Sequence, residues 1–172
     1  MICMRILFTC FLFTCFSCVN KMEDIDFTYS DIDLGDFGEN IEISYYLKGD
    51  LEFKLIAPEM NQFAEISTFP QGIDIYVYNH RLDTIATIAA DYALQDKNQH
   101  IVEARSNVVL INSQQEQLKT EQLFWNSETK KIYTEDFVTL NTKNQIIMGF
   151  GFEADQYFST YTLSNITGTI YL

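Results

Sequence analysis

Residues 73–77 read Ile73-Asp74-Ile75-Tyr76-Val77, so apolar and polar side chains alternate through the segment. That period of two is typical of a β-strand with one buried face. The segment 51–55 (LEFKL) alternates in the same way, and segments rich in Val, Ile, Thr, Tyr and Phe follow at 101–111, 122–125, 131–140, 146–152 and 157–171. Polar clusters typical of turns separate strands at 95–99, 112–116 and 126–130. No stretch after Met22 has an apolar stripe of helical period, so the sequence predicts an all-β fold.

These strands repeat after thirty residues. The tetrad ADYA at 90–93 stands thirty residues before TEQL at 120–123. The same offset relates Val102 to Ile132, Ala104 to Thr134 and Val108 to Val138. Repeating hairpins that each bury one face against the next predict a solenoid-like roll. Similar hairpins in an unrelated β-sandwich are the alternative.

The N-terminus has the layout of a secretory signal. Residues 1–18 read MICMRILFTCFLFTCFSC, with Arg5 ahead of the apolar run 6–16 and with all four cysteines of the chain. The run is shorter than the about 20 apolar residues that span a bilayer. Because the small Ser17 directly precedes Cys18, we predict a lipoprotein signal peptide over 1–17 and attachment of a diacylglycerol thioether to Cys18. The alternatives are Cys15 as the acceptor, an ordinary signal peptide and a transmembrane anchor.

An acidic segment follows the predicted acceptor. Seven carboxylates lie between residues 23 and 39, and residues 22–47 contain no Lys or Arg. Runs of one charge are usually solvated spacers, so we expect a tether over 18–45 and a folded domain over 46–172. Asp31 and Asp33 resemble the start of a calcium loop, but the loop glycine and the closing glutamate are missing.

Charge and motifs exclude several classes of function. The 24 acidic and 11 basic residues give a net charge of −13, which argues against binding to nucleic acid. A chain processed at Cys18 keeps no free thiol for disulfides, zinc or Cys–His catalysis. His80 and His100 stand in separate turn-like segments, and no sequence motif of a hydrolase, metalloprotease or nucleotide site is present. We therefore expect no enzymatic activity, no metal and no cofactor.

Four segments taken together resemble a known family. They are 90–93 (ADYA), 102–109 (VEARSNVV), 118–126 (LKTEQLFWN) and 147–155 (IMGFGFEAD), and in this order they resemble LptC, the periplasmic bridge component of the lipopolysaccharide export machinery. The resemblance covers about residues 53–170 and includes FPQGI at 69–73. Ser106 stands where the family pattern has a glycine, which puts the local bulge in doubt. Many members have an N-terminal transmembrane helix, whereas a lipoprotein signal is predicted here. This chain therefore resembles a lipoprotein-type, Bacteroidetes-like member.

The resemblance implies a fold and a function. The fold would be an open β-roll (a β-jellyroll, OstA-like) over 46–172. The function would be that of a membrane-tethered periplasmic carrier and scaffold, which passes lipopolysaccharide from the inner-membrane ABC transporter towards the outer membrane. The implied partners are lipopolysaccharide, the transporter subunits, an LptA-like bridge protein and a membrane reached through the lipid anchor. Which membrane holds the anchor stays open, and the inner membrane is favoured.

Site residues follow from the implied roll. One residue in two points inward in such a strand, and the candidates for contact with acyl chains are Phe53, Leu55, Ile73, Ile75, Val77, Val102, Ala104, Val108, Leu110, Ile132, Val138 and Leu140. The C-terminal strand would pair with the next bridge protein through an edge that carries Tyr161, Leu163, Ile166 and Ile170. The first strands would pair with the transporter.

The sequence also fits a second function, and its acidity bears on the first. A surface lipoprotein that acts as an adhesin or glycan-binding β-sandwich is the alternative function, and it would need a flat Tyr/Trp platform although Trp125 is the only tryptophan. The acidity of the chain should also repel a phosphorylated lipid. Either the negative charge lies mostly on the tether and outer surface, or divalent cations screen the lipid head group.

Overall fold

Eleven antiparallel strands make up residues 35–172, the part of the chain that this computed structural model describes. Their bounds are β1 Asp36–Leu47, β2 Asp50–Phe63, β3 Ile66–Phe69, β4 Ile73–Tyr78, β5 Thr84–Ala90, β6 Tyr92–Asp96, β7 Ile101–Asn112, β8 Gln117–Asn126, β9 Lys131–Asn141, β10 Gln145–Asp155 and β11 Tyr161–Tyr171. The predicted all-β class is confirmed. Among these residues there is no helix with the length and apolar character needed to cross a bilayer.

All eleven strands belong to one sheet with two branch points. Its order is β11-β10-β9-β8-β7-β5-β4-β2-β3-β6, and β1 pairs with β2. The long strand β7 pairs with β6 along its first half and with β5 along its second half. In the same way β2 pairs with β4 and then with β3. The short strands therefore form two paths between β2 and β7, as in a roll.

The long strands are bent, and the sheet folds back on itself. The pairing register shifts at Arg105–Val108 in β7 and at Thr120–Phe124 in β8, fifteen residues further on, which is half of the thirty-residue repeat. The fold-back is visible where β2 and β8, which are not paired, bring the rings of Phe53 and Trp125 to a centroid distance of 5.4 Å. Each repeat unit is therefore a pair of bent strands, and the core lies between their halves.

The bend in β7 forms without the glycine of the family pattern. Ser106 and Asn107 both have positive φ angles, 62° and 52°, and two consecutive left-handed residues turn the strand sharply. The Asp91 N–H donates to the Ser106 carbonyl at 3.0 Å. The Asn107 side-chain amide donates to the Asp91 carboxylate at 2.6 Å. The hydrogen bonds to Asp91 tie the bend to the β5–β6 connection, so the bulge is present with serine in place of glycine.

The sheet begins earlier than the boundary expected at residue 46. Residues 36–47 form β1, which pairs with β2 from Asp36 opposite Gln62 to Leu47 opposite Asp50. Asp36 and Glu39, two of the seven carboxylates expected in the tether, thus belong to a strand. The predicted signal peptide, Cys18 and the tether up to residue 34 lie outside the described residues.

Candidate binding groove

A cavity of about 170 Å³ lies between the folded halves of the sheet. Strands from β1 to β9 contribute to it, as does the β10–β11 turn. Fourteen of its eighteen lining side chains are apolar or aromatic: Ile43, Tyr45, Phe53, Leu55, Phe69, Ile73, Ile75, Val77, Ile88, Val102, Ala104, Leu123, Trp125 and Ile132. The other four are Glu52, Gln95, Lys130 and Gln156. We call this cavity the groove.

The twelve predicted acyl-chain residues fall into two sets. Eight line the groove: Phe53, Leu55, Ile73, Ile75, Val77, Val102, Ala104 and Ile132. The other four, Val108, Leu110, Val138 and Leu140, are at most 1% exposed and pack in the core away from the groove. Both sets occupy alternate, inward-facing positions of their strands. Alternation therefore predicts which side chains face inward but not whether they meet a cavity or another side chain.

Sequence reasoning did not single out ten of the lining residues. Six are apolar or aromatic: Ile43, Tyr45, Phe69, Ile88, Leu123 and Trp125. Leu123 and Trp125 lie at alternate positions of the segment 118–126, which is the signal that could have found them. Of the four polar ones, Lys130 and Gln156 stand in turns, where the period of two carries no information, and Glu52 and Gln95 lie near the ends of β2 and β6.

Aromatic rings form part of the groove wall. The ring of Phe53 stacks on Tyr45 with a centroid distance of 4.9 Å and an interplanar angle of 13°. The other contact of Phe53 is edge-to-face with Trp125, at 5.4 Å and 81°. Offset-stacked and T-shaped pairs are the preferred arrangements of aromatic rings. These three side chains from β1, β2 and β8 therefore make a wall suited to apolar ligands.

Polar groups gather near the β8–β9 and β10–β11 turns. The hydroxyl of Tyr157 donates to Glu52 Oε2 at 3.1 Å, and burial together with this carboxylate raises the pKa of Tyr157. Lys130 Nζ lies 5.8 Å from the centre of the Trp125 ring. The Gln156 N–H donates to the Lys130 carbonyl at 3.0 Å, which joins the two turns. We call this set of groups the groove mouth.

An aromatic cluster lies at the β10–β11 end of the sheet. The rings of Phe152, Phe158 and Tyr161 have centroid distances of 5.2–5.9 Å, and Phe158 is fully buried. The Asn112 side-chain amide donates to the Phe158 carbonyl at 3.1 Å, and the Tyr161 hydroxyl donates to Glu116 at 3.3 Å. No described residue of β10 or β11 lines the groove, so the groove ends before this cluster.

The turn that carries Phe158 is organised by one carboxylate. Asp155 accepts hydrogen bonds from the N–H groups of Tyr157, Ser159 and Thr160 and from the hydroxyls of Ser159 and Thr160, at 2.6–3.1 Å. Burial acts to raise the pKa of Asp155, but these hydrogen bonds together hold it below its usual range. The turn is therefore held most firmly when Asp155 is ionised.

The two outer strands leave their edges unpaired among the described residues. β11 pairs only with β10, and β1 pairs only with β2. Of the predicted edge residues, Ile166 and Ile170 are 58% and 51% exposed, whereas Tyr161 and Leu163 pack against the core. Only the second half of β11 therefore presents apolar side chains outward.

The two histidines and the buried carboxylate Glu103 of residues 35–172 each have a side-chain partner. No group of three or more His, Cys, Asp or Glu side chains in this range could hold a metal ion. His80 contacts Asp50 at 2.9 Å and His100 contacts Glu128 at 3.5 Å, on separate turns. The buried carboxylate of Glu103 is paired with the Arg105 guanidinium at 2.5 and 2.7 Å and also accepts from Gln122. That pairing gives the Glu103 carboxylate hydrogen-bond partners within the sheet.

A protein-family model described as lipopolysaccharide-assembly, LptC-related, matches residues 37–172. The match covers nearly all of the sheet, from β1 to the end of β11. The chain belongs to the LptC family. A comparison with curated proteins returned no match.

Membership in the LptC family implies a role in lipopolysaccharide transport as a component of the periplasmic bridge. The family also points to a periplasmic location that is tied to the inner membrane. It is a family of transport proteins and not a known enzyme family. The resemblance to the LptC family found in the sequence is thereby confirmed.

Proposed function

We propose that the chain carries lipopolysaccharide by holding its acyl chains in the groove, without any chemical step. The observation that carries this proposal is the composition of the groove: fourteen of its eighteen lining side chains are apolar or aromatic, and three of the other four, Glu52, Lys130 and Gln156, belong to the mouth. Burial of acyl chains is favourable by about 0.8 kcal/mol for each CH₂ group removed from water. Such a groove suits an amphiphile whose chains must be sheltered while its head group stays in water.

The volume of the groove sets how much lipid it holds in this conformation. At about 170 Å³ it is smaller than the about 300 Å³ at which pockets for whole drug-sized ligands begin. It takes part of one acyl chain as it stands, and the folded halves of the sheet must separate to take more. The eight lining residues among the twelve predicted ones make the acyl contacts in this proposal, and the four fully buried ones support them.

The unpaired edges are proposed as the contacts with neighbouring proteins. Strand addition uses main-chain hydrogen bonds for affinity and outward side chains for specificity. The edge of β11, with Ile166 and Ile170 exposed, would pair with an LptA-like bridge protein. The β1 side would pair with the inner-membrane transporter. Exposed strand edges of this length are otherwise a liability for a protein in solution.

The attachment to a membrane is proposed from the sequence. A diacylglycerol group on Cys18 would hold the chain at a membrane, with the inner membrane favoured. At full extension the segment from Cys18 to the start of β1 reaches about 60 Å. That length would leave the sheet free to meet partners in the periplasm.

The glycan-binding alternative gains no support from the groove. It needs a flat aromatic platform on the surface, but Trp125 packs against Phe53 inside the groove. The carrier function accounts for the inward position of this side chain, and the alternative does not.

Photo-crosslinking in cells tests the carrier function. A photoreactive amino acid at Ile75, which lines the groove, is compared with one at the neighbouring Tyr76, which does not. We expect capture of lipopolysaccharide from Ile75 during active export and little capture from Tyr76. Absence of capture from Ile75, Val77 and Val102 alike, in cells that export lipopolysaccharide, would rule out the proposal.

A further inference from the structure

The sheet as a whole is strongly acidic, whereas the groove is not. Residues 35–172 contain 19 acidic and nine basic side chains, a net charge of −10. Only two charged residues of this range line the groove, Glu52 and Lys130. The negative charge of the folded part thus lies almost entirely outside the groove, and the groove itself is balanced.

The two charged groups of the groove are not equivalent. Glu52 accepts the hydrogen bond from the Tyr157 hydroxyl. No carboxylate of the described residues lies within 4 Å of Lys130 Nζ, so this ammonium group has no ion-pair partner there. Lys130 is half-buried and stands beside the face of Trp125.

The carboxylates on the neighbouring turns already have partners. Glu128 contacts His100 at 3.5 Å, and Glu153 pairs with Lys131 at 2.5 Å. Asp155 accepts the hydrogen bonds of its own turn. Within the described part of the chain, Lys130 is therefore the charged group of the mouth that is left to meet a ligand.

We propose that Lys130 binds the phosphate of an anionic lipid head group while an acyl chain of the same lipid occupies the groove. This inference rests on the proposed carrier function and names the part of the lipid that the mouth recognises. An ammonium group binds phosphate through charge-assisted hydrogen bonds, which are strongest where water is partly excluded. The side-chain amide of Gln156, whose backbone N–H donates to the Lys130 carbonyl, adds an uncharged donor at the mouth. A single cation at the mouth lets an acidic protein accept an anionic lipid in one orientation.

The test compares two lipids and three variants of the full-length chain, purified in detergent with a photoreactive residue at Ile75. The lipids are bisphosphorylated lipid A and the same lipid A after removal of its phosphates, and a chelator is present so that divalent cations cannot bridge phosphate to carboxylate. Lys130→Gln removes the charge, and Lys130→Arg keeps it. Lys131→Gln is the matched control, because Lys131 is exposed, does not line the groove and pairs with Glu153.

We expect Lys130→Gln to lower capture of the phosphorylated lipid about tenfold, which corresponds to about 1.4 kcal/mol. Capture of the dephosphorylated lipid should be unchanged, and this also shows that the variant is folded. Lys130→Arg should restore most of the capture, and Lys131→Gln should behave as the unsubstituted chain.

The outcomes separate the two proposals. If the unsubstituted chain captures neither lipid, the carrier function fails and the role of Lys130 fails with it. If it captures both lipids and Lys130→Gln changes neither, or lowers both equally, the groove is a carrier site and only the role of Lys130 is overturned.

Discussion

The Tyr157 hydroxyl donates a hydrogen bond to the Glu52 carboxylate at 3.1 Å and so connects two residues that are 105 positions apart in the sequence. Glu52 lies near the start of β2, and Tyr157 lies in the turn between β10 and β11. Since these elements are not paired in the sheet, the bond closes the fold-back at the groove mouth. It therefore limits how far the two halves of the sheet can separate at the mouth.

Tyr157→Phe should weaken this closure. The variant removes the hydroxyl and keeps the ring, so we expect the free energy of unfolding in urea to fall by about 1 kcal/mol. Tyr171→Phe is the control, because Tyr171 is 81% exposed at the end of β11. Capture of lipid from Ile75 should be maintained or increased in Tyr157→Phe, since the mouth opens more easily. Equal stability of the two variants would show that the bond to Glu52 does not stabilise the fold.

Ser106→Gly should stabilise the protein. Ser106 has a φ of 62°, and a left-handed conformation costs a residue with a side chain about 1–2 kcal/mol relative to glycine. Glycine removes this cost but has greater conformational freedom in the unfolded chain, which offsets part of the stabilisation. We therefore expect a net increase of up to about 1 kcal/mol in the free energy of unfolding.

Two further variants check that explanation. Ser106→Val places a β-branched side chain at positive φ and should destabilise the protein. Ser44→Gly lies in β1, outside the positive-φ positions, and should also destabilise it because glycine weakens a strand. A loss of stability in Ser106→Gly would mean that the serine side chain contributes more than its backbone conformation costs.

Glu103→Gln tests the buried ion pair through its pH dependence. The hydrogen bonds from Arg105 lower the pKa of Glu103 below its ordinary value of 4.5, since they stabilise the ionised carboxylate more than burial disfavours it. A lowered folded-state pKa gives stability that is present above about pH 4.5 and is lost as the pH falls through the folded value. Because the Arg105 side chain is 48% exposed, we expect Glu103→Gln to cost only about 1 kcal/mol at pH 7.

The difference between Glu103→Gln and the unsubstituted chain should shrink as the pH falls below 4.5. Thermal or urea unfolding between pH 7 and pH 3 measures it directly. A difference that stays constant over this range would show that packing of the side chain, and not its charge, sets the effect.

The fold class could be predicted because period and repeat are properties of short segments. Alternation in 73–77 and 131–140 predicted β4 and β9, and the thirty-residue offset predicted repeating hairpins in a roll. The short strand β3 (ISTF) and the alanine-rich β5 (TIATIAA) have weak patterns of this kind. These two segments form strands because β3 pairs with β2 and β6, and β5 pairs with β4 and β7.

The groove could be predicted only in part, because its limits depend on distant contacts. Ile75 and Val138 have the same inward orientation, but Ile75 lines the groove and Val138 is completely buried. The difference depends on where the sheet folds back and on where the Phe152–Phe158–Tyr161 cluster fills the space between its halves. Lys130 stands in a turn, so strand alternation carries no information about its position at the mouth.

Asp155→Ala should loosen the end of the roll that lies beyond the groove. The carboxylate accepts from three backbone N–H groups and two hydroxyls, and it holds the turn in which Phe158 is buried at a positive φ of 52°. Left-handed backbone is unfavourable for a bulky residue, so the turn depends on these hydrogen bonds. We expect a loss of about 2–3 kcal/mol in the free energy of unfolding, together with faster hydrogen exchange in the second half of β10 and the first half of β11. Asp96→Ala is the matched control, because the Asp96 carboxylate also caps a turn but accepts a single hydrogen bond within residues 35–172, from the Gln99 N–H at 3.0 Å. If both variants lost the same stability, the concentration of hydrogen bonds on Asp155 would not be what keeps Phe158 in place.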